Sequence, residues 1–376
     1  MNERVAPLPG TAPRFPADRS GVAVLGAGSI AQSAHLPAYE RYGVGVTGVW
    51  SRNPARTDGI LDRFPSVGRV YGSADELLAD PEVRFVDLAT GPEGRLAWIE
   101  RAVDAGKHVL AQKPLVATGE DLAALPAVLA RADAAGVRVA VNHNGRWAPP
   151  WRLTTLLLRR GDLGEVVGVT HLLDKGLPPL VGTPFDDVEH MLLTDYLLHW
   201  VDVTRTWLAS APDGRGEVVS VRAVDTRVPG QPAAAKNPWS ATVELACRGG
   251  ATASVRVVGD VVANRPSCPF WVHGTAATLR GSVLLDSDRL SLDTGDAVVD
   301  LHLAGAWFVD GFAATLGELM CAVAEDRQPE NSAADAALSA ALLLAAAESA
   351  DAGGAPVAVG AGRAAPGPGP QRVEET

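Results

Sequence analysis

Three ionisable residues sit in contexts that could give them chemical work. Lys113 follows an apolar run, KHVLA, and precedes Pro114, whose ring fixes the direction of the chain as it leaves a strand. A lysine so placed is either a solvated surface group or an ammonium facing a ligand at the strand's carboxyl edge. Asp195 and His199 stand four apart in the apolar stretch LTDYLLHWVDVTRTWL, so on a helix they share one face. Polar groups on a buried helix need partners. One reading is a core hydrogen-bond pair. The other is that His199 exchanges a proton with a substrate hydroxyl, since histidine titrates near working pH, while Asp195 orients substrate or proton donor. Asp202, seven residues from Asp195, reads as structural.

A second constellation is the turn Gly26-Ala27-Gly28-Ser29-Ile30-Ala31, a G-x-G-x-x-A element after GVAVLG. Gly26 permits a tight turn, Gly28 lets backbone approach a pyrophosphate, and Ala31 keeps helix close to strand. The helix start at Ser29 and Ile30 supplies free N–H groups and a positive dipole end for phosphate. The bland alternative is an ordinary strand-to-helix turn, but the strand before and the helix after favour a nucleotide. About twenty residues on, a carboxylate would favour NAD by bonding the ribose 2′-OH. The chain has Trp50-Ser51-Arg52-Asn53 there, with Arg56 one turn beyond. A hydroxyl and a guanidinium suit a 2′-phosphate, so NADP(H) is favoured over NAD(H). Otherwise Arg52 stacks on adenine and NAD binds.

These residues must be positioned by a regular frame. Residues 21–145 alternate apolar strands (GVAVLG, GVTGVWS, VRFVDLA, KHVLA, VRVAVN) with helical stretches, several ending in glycine at Gly43, Gly106 and Gly136. That pattern predicts an α/β Rossmann domain, a parallel doubly wound sheet covered on both faces. From 146 to 351 the pattern predicts an α+β domain with a large, mostly antiparallel open sheet. A helix is expected over Leu193–Leu208, and two more over Phe308–Glu325 and Ala333–Ala350, with 333–351 able to pack back on the first domain. Residues 1–20 read as a disordered leader and 352–376, rich in Ala, Gly and Pro, as a disordered tail.

Composition narrows the function classes. The formal charge of −11 and the lack of a basic run argue against nonspecific nucleic-acid binding. No apolar run reaches the roughly 18 residues of a membrane span. The three cysteines, Cys247, Cys268 and Cys321, are widely separated and odd in number, which suits free thiols in a reducing cytoplasm. His190, with Glu189 and Asp187, matches no standard metal-ligand spacing and reads as pocket-lining or loop polarity, so no metal is expected. Arg146 and Trp147 follow the last Rossmann strand and border the expected cleft, though core packing of Trp147 is an equal reading.

Three separated segments, GAGSIAQSAHLPA, AGKHVLAQKPLV and LTDYLLHWVDVTRTWL, together resemble the Gfo/Idh/MocA family, named for glucose-fructose oxidoreductase, inositol dehydrogenase and rhizopine-catabolism relatives. The likeness extends over roughly residues 20–350. It implies a catalytic set of Lys113, Asp195 and His199, with Lys113 at the reacting oxygen, and cofactor contacts that include Thr90 and Gln112. It also implies hydride transfer between nicotinamide and a sugar, cyclitol or keto-sugar, usually in a homo-oligomer (a homodimer or homotetramer). Two departures stand out: Gln112 replaces the family's glutamate before the lysine, and Arg95 stands where many relatives have histidine. On the same frame, an NAD-dependent non-redox glycosidase or a non-catalytic nucleotide-binding regulator are the alternatives.

Overall fold

The computed structural model of the chain describes residues 8, 10–177, 180–259, 266–284 and 288–360. Five short strands open it: β1 (Val22–Leu25), β2 (Val46–Trp50), β3 (Phe85–Leu88), β4 (His108–Ala111) and β5 (Val139–Val141). β1, β3 and β5 are buried at every position, the pattern of strands covered on both faces. They form one parallel sheet in the order β2-β1-β3-β4-β5. The connecting helices are α1 (Leu36–Tyr42), α2 (Ile60–Arg63), α3 (Ala74–Ala79), α4 (Arg95–Asp104) and α5 (Gly119–Ala134). Gly43, Gly106 and Gly136 take positive φ of 62°, 69° and 68° where helices end, as their positions in the sequence predict.

The second half begins with α6 (Pro149–Arg160) and β6 (Val166–Lys175), then α7 (Leu198–Leu208). Seven strands follow: β7 (Val218–Thr226), β8 (Ser240–Cys247), β9 (Thr252–Gly259), β10 (Pro269–Gly274), β11 (Thr278–Ser282), β12 (Arg289–Asp293) and β13 (Val298–Asp300). The chain closes with α8 (Phe312–Ala324), α9 (Ala333–Asp351) and β14 (Val357–Ala358). Among the described residues these strands make one sheet, β13-β12-β11-β10-β6-β9-β8-β7-β14, antiparallel except for the β6–β9 pair. Burial alternates along β8 and β9. One face packs on α6, α7 and α9, and the other is open.

Four expectations need correction. The leader does not hang free at residues 10–20: Phe15 stacks on Tyr42, Arg19 donates to the Tyr42 carbonyl at 2.6 Å, and Asp18 pairs with Arg84 at 2.6 Å. The ring and its flanking charges hold this segment against Tyr42 at the end of α1 and Arg84 before β3. The tail is ordered to Gly360, because β14 adds to the edge of β7 and supplies its backbone partners; 361–376 lie outside the described residues. The helix expected from Leu193 begins as a π-turn, Leu192–Tyr196, and resets at Leu197 before α7. The helix expected from Phe308 begins at Phe312, because Val309 adopts φ 79° and breaks the preceding turn.

α9 crosses both halves. Ala333, Ala336 and Ala340 enter the first domain's core, while Leu342, Leu343, Ala345 and Ala346 enter the second's. By length and composition it resembles a membrane-spanning helix, but its apolar sides are taken by these cores.

Candidate active site

The turn after β1 fits a dinucleotide in its own geometry. Gly26 sits at φ 108°, and a Cβ there would lie 2.9 Å from the Ala89 carbonyl carbon, so only glycine keeps β1 and β3 this close. Around Gly28 a Cβ would meet nothing within 4 Å, which leaves open space at the point of phosphate approach. Ser29 is exposed, and Ile30 caps the π-turn Ala31–His35 that leads into α1. Thr90 follows β3 beside this turn, and its hydroxyl is buried with no partner among the described residues. At the end of β2, Ser51 is half-buried and Arg52 and Arg56 are exposed. Among the described residues neither arginine has a carboxylate partner. Gln32 ties this edge to the glycine turn, donating to the Ala27 carbonyl at 2.9 Å and the Arg56 carbonyl at 2.7 Å.

Behind the turn lies a buried polar network. Gln112 accepts from the Lys113 N–H at 2.7 Å and offers its NH2 to His35 Nε2 at 3.0 Å. Asp87 accepts from His35 Nδ1 at 2.6 Å and from the Tyr39 hydroxyl at 2.6 Å. The amide of Gln112 presents a donor to His35 Nε2, where a carboxylate could only accept. The amide thus clamps the backbone of Lys113 to the helix of the glycine turn. His35, Asp87 and Tyr39 were missed in the sequence; only the burial of all three side chains, invisible in one dimension, marks them.

Arg95 gains a physical account. It is 1% exposed, and its guanidinium donates to the carbonyls of Thr90 and Pro114, joining the segments after β3 and β4. Burial lowers its pKa to about 10, opposed by the nearby Asp195 carboxylate. A histidine is too short to span both carbonyls; arginine's fork reaches them together.

Lys113 and Asp195 meet across the two halves at 2.8 Å, with side chains 23% and 14% exposed, so the pair is shielded yet open to a ligand. Lys113 stands at the carboxyl edge of the sheet, before a cis peptide to Pro114. Asp195 comes from the π-turn before α7. His199, one turn on, packs edge-on against Trp307 at 5.3 Å, and its Nδ1 faces Gly145, where a Cβ would come within 3.1 Å. Burial holds the imidazole well below its ordinary pKa, helped by the charges of Lys113 and His143. It is therefore a neutral ring at neutral pH. The structure thus brings Lys113, Asp195 and His199 close together, with Gln112 bonded to the backbone of Lys113.

Three residues expected at the pocket belong elsewhere. Arg146 is buried in ion pairs: it donates to both Asp202 oxygens at 2.6 and 2.7 Å, to Asp335 at 2.5 Å and to the Glu330 carbonyl at 2.9 Å. Four of its five donors are engaged in joining α7 to α9, and the side chain is buried, so it does not face a substrate. Trp147 is 6% exposed and lies under the Arg152 guanidinium, which is core packing. His190 bridges Asp225 at 2.8 Å and Asp351 at 3.0 Å, tying the end of α9 to β7. Both its ring nitrogens are engaged, although Glu189, His190 and Asp351 bring ligand-type atoms within 4.8 Å of one another.

A glycine turn at the end of the first strand of a five-stranded parallel sheet is the arrangement of a dinucleotide-binding domain. Residues 20–143 match the profile of the oxidoreductase family with an NAD-binding Rossmann fold, Gfo/Idh/MocA. It is 34% identical over 144 residues to the uncharacterized oxidoreductase ORF334 of Rhizobium meliloti, a stretch covering 38% of this chain and 42% of the relative. It is 27% identical over 262 residues to the D-apiose dehydrogenase of Rhizobium rhizogenes, covering 69% and 72%. The chain thus spans less than half the length of the first relative. A crystal structure of an oxidoreductase from Agrobacterium radiobacter, in complex with NAD+, L-tartaric acid and magnesium, superposes with a TM-score of 0.76 at 25% identity. The match covers 90% of this chain and 98% of that one.

Proposed function

We propose that the protein is an NAD(P)-dependent dehydrogenase or reductase acting on the CH–OH or carbonyl group of a sugar, cyclitol or keto-sugar, with NADP(H) favoured. The observation that carries this reading is the 2.8 Å pair between Lys113 and Asp195, beside a neutral His199 and an open glycine turn. Gly26, Gly28, Ser29, Ile30 and Ala31 hold the pyrophosphate; Thr90 and Gln112 flank the nicotinamide end. Ser51, Arg52 and Arg56 hold a 2′-phosphate, since two uncompensated guanidinium groups favour a dianion. The bound nicotinamide supplies the hydride acceptor or donor. Asp195 fixes the Lys113 ammonium so that it donates a hydrogen bond to the reacting oxygen. His199 accepts the hydroxyl proton in the oxidative direction and returns it in the reductive one. The proposed setting is a reducing cytoplasm, consistent with three free, buried cysteines. A homodimer or homotetramer would use the open sheet face, where Val167 and Val224 are exposed.

The test is a panel of sugars, cyclitols and keto-sugars offered with NADP+ or NADPH and with NAD+ or NADH, followed by absorbance of the reduced ring. Stoichiometric turnover with one cofactor pair is expected. Absence of turnover across the panel, with neither cofactor bound in a calorimetric titration, overturns the reading.

A further inference from the structure

The backbone is strained in the turn Trp307–Gly311 that leads into α8. Val309 sits at φ 79° and ψ −65°, a rare conformation and an outlier for a β-branched residue. Such strain persists only where the surroundings over-determine it. They do so here on both sides of the turn. Trp307 is 4% exposed and donates from Nε1 to Asn144 Oδ1 at 2.6 Å. Asp310 accepts from the Ala306 N–H at 2.7 Å and from the Tyr42 hydroxyl at 2.8 Å. Gly311 passes so close to Asn144 that a Cβ would lie 2.7 Å from its carbonyl oxygen. Val309 itself packs against the same first-domain core as Ile30 of the glycine turn.

With its neighbours held inward, Phe308 is turned out, 53% exposed. Its ring lies 6.1 Å from that of Trp307 and 5.8 Å from that of Phe312. Trp307 in turn meets His199 edge-on, and Phe312 meets His35, at the end of the π-turn that follows the glycine turn, at 4.9 Å. The exposed ring therefore rests on two others, one touching the imidazole of the second domain and one touching the helix that starts at the glycine turn. A lone exposed aromatic is ordinary on a protein surface. One held out by a strained backbone between those two groups is not.

We propose that Phe308 is a cofactor-contacting residue, its ring covering the nicotinamide end of the dinucleotide where that end runs from the glycine turn toward His199. This rests on the oxidoreductase reading above. An aromatic face stacks on a planar heterocycle whatever its substituents, and it shields that ring from water. The strained turn at Val309 sets the face in place before anything binds. The adenosine end is assigned to other residues, Ser51, Arg52 and Arg56 at the end of β2.

The experiment titrates the wild-type protein, Phe308→Ala and Phe308→Tyr with NADPH and NADH, followed by emission of the bound reduced ring, and with ADP-ribose, followed by calorimetry. In Phe308→Ala the Kd for both reduced cofactors should rise about 10-fold and equally, with loss of emission gain on binding, as removal of one stacking partner implies. ADP-ribose, which lacks the nicotinamide, should bind as it does to the wild type. Phe308→Tyr, which keeps the ring, should retain wild-type affinity for all three. Unchanged affinity for NADPH and NADH in Phe308→Ala, or an equal loss for ADP-ribose, overturns the contact and leaves the oxidoreductase reading standing. A wild-type protein that binds neither cofactor overturns both.

Discussion

Asp195 and Asp202 lie on either side of the reset at Leu197, and each meets a cation from the neighbourhood of the Rossmann edge. Asp195 holds Lys113 in a single contact, partly open to the cleft. Asp202 is fully buried and holds Arg146 through both oxygens, with Ser339 donating at 2.7 Å and His143 close by at 2.9 Å. Burial alone would raise the Asp202 carboxyl; Arg146 and His143 overcome it and keep the group well below the usual carboxylate range. Arg205 and Asp335 complete a balanced quartet with Arg146 and Asp202. One pair is saturated and can only hold; the other keeps an unfilled side and can act. Equal charge chemistry is thus divided by the number of partners each group already has.

Lys113→Ala should break the acting pair with the largest effect. A loss of about 10²- to 10⁴-fold in kcat is expected, with the melting temperature almost unchanged. Full activity in that variant would end the catalytic assignment. Asp202→Asn should break the holding pair in the opposite way, costing about 3–5 kcal/mol in denaturant unfolding because charge is left buried and uncompensated. The surviving folded fraction should keep near-normal KM; a large kcat loss at full stability would contradict its structural role.

Histidines sharpen the contrast by their pH dependence. His171, stacked between Trp207 and Phe270, has both nitrogens buried and without a partner among the described residues, and burial lowers its pKa to about 3. The unfolded chain, with an ordinary histidine near 6.5, binds that proton first. Stability is therefore complete above about pH 6.5 and is lost as pH falls toward 3, on the order of a few kcal/mol. His171→Phe should flatten that acid limb in thermal melts; an unaltered limb would exclude His171 as its source. The smallest expected effect lies at the cofactor edge. Arg52→Ala should weaken NADPH about 10-fold and NADH hardly at all, as loss of one charged hydrogen-bond partner implies. Equal losses in a titration would refute the 2′-phosphate contact.

Much of this arrangement was legible in the sequence. The glycine turn, the five apolar strands and the Lys-Pro step follow from local pattern alone, and the structure matches them. The spacing of Asp195 and His199 also pointed to one face, although the π-turn and the reset at Leu197 lie outside any 3.6-residue periodicity. Arg146 was read as a cleft residue because its position after β5 is right; its partners Asp202 and Asp335 lie 56 and 189 positions away. No local pattern reports such a distance. Arg95 was visible as a departure, but its task depends on two carbonyls brought together only by folding. The terminal segments were misread because composition speaks for a segment alone, whereas Phe15 and β14 are ordered by surfaces supplied from elsewhere.

The 19-residue rod of α9 is pinned at one end in the first core and at the other in the second. Such a crosspiece turns two domains into a single frame of fixed gauge. The spacing between Lys113 of the first domain and Asp195 of the second is then set when the chain folds, and under the proposed function a ligand bound there would spend little of its affinity on drawing the two sides together. Selectivity in this protein becomes a matter of what the slot will admit.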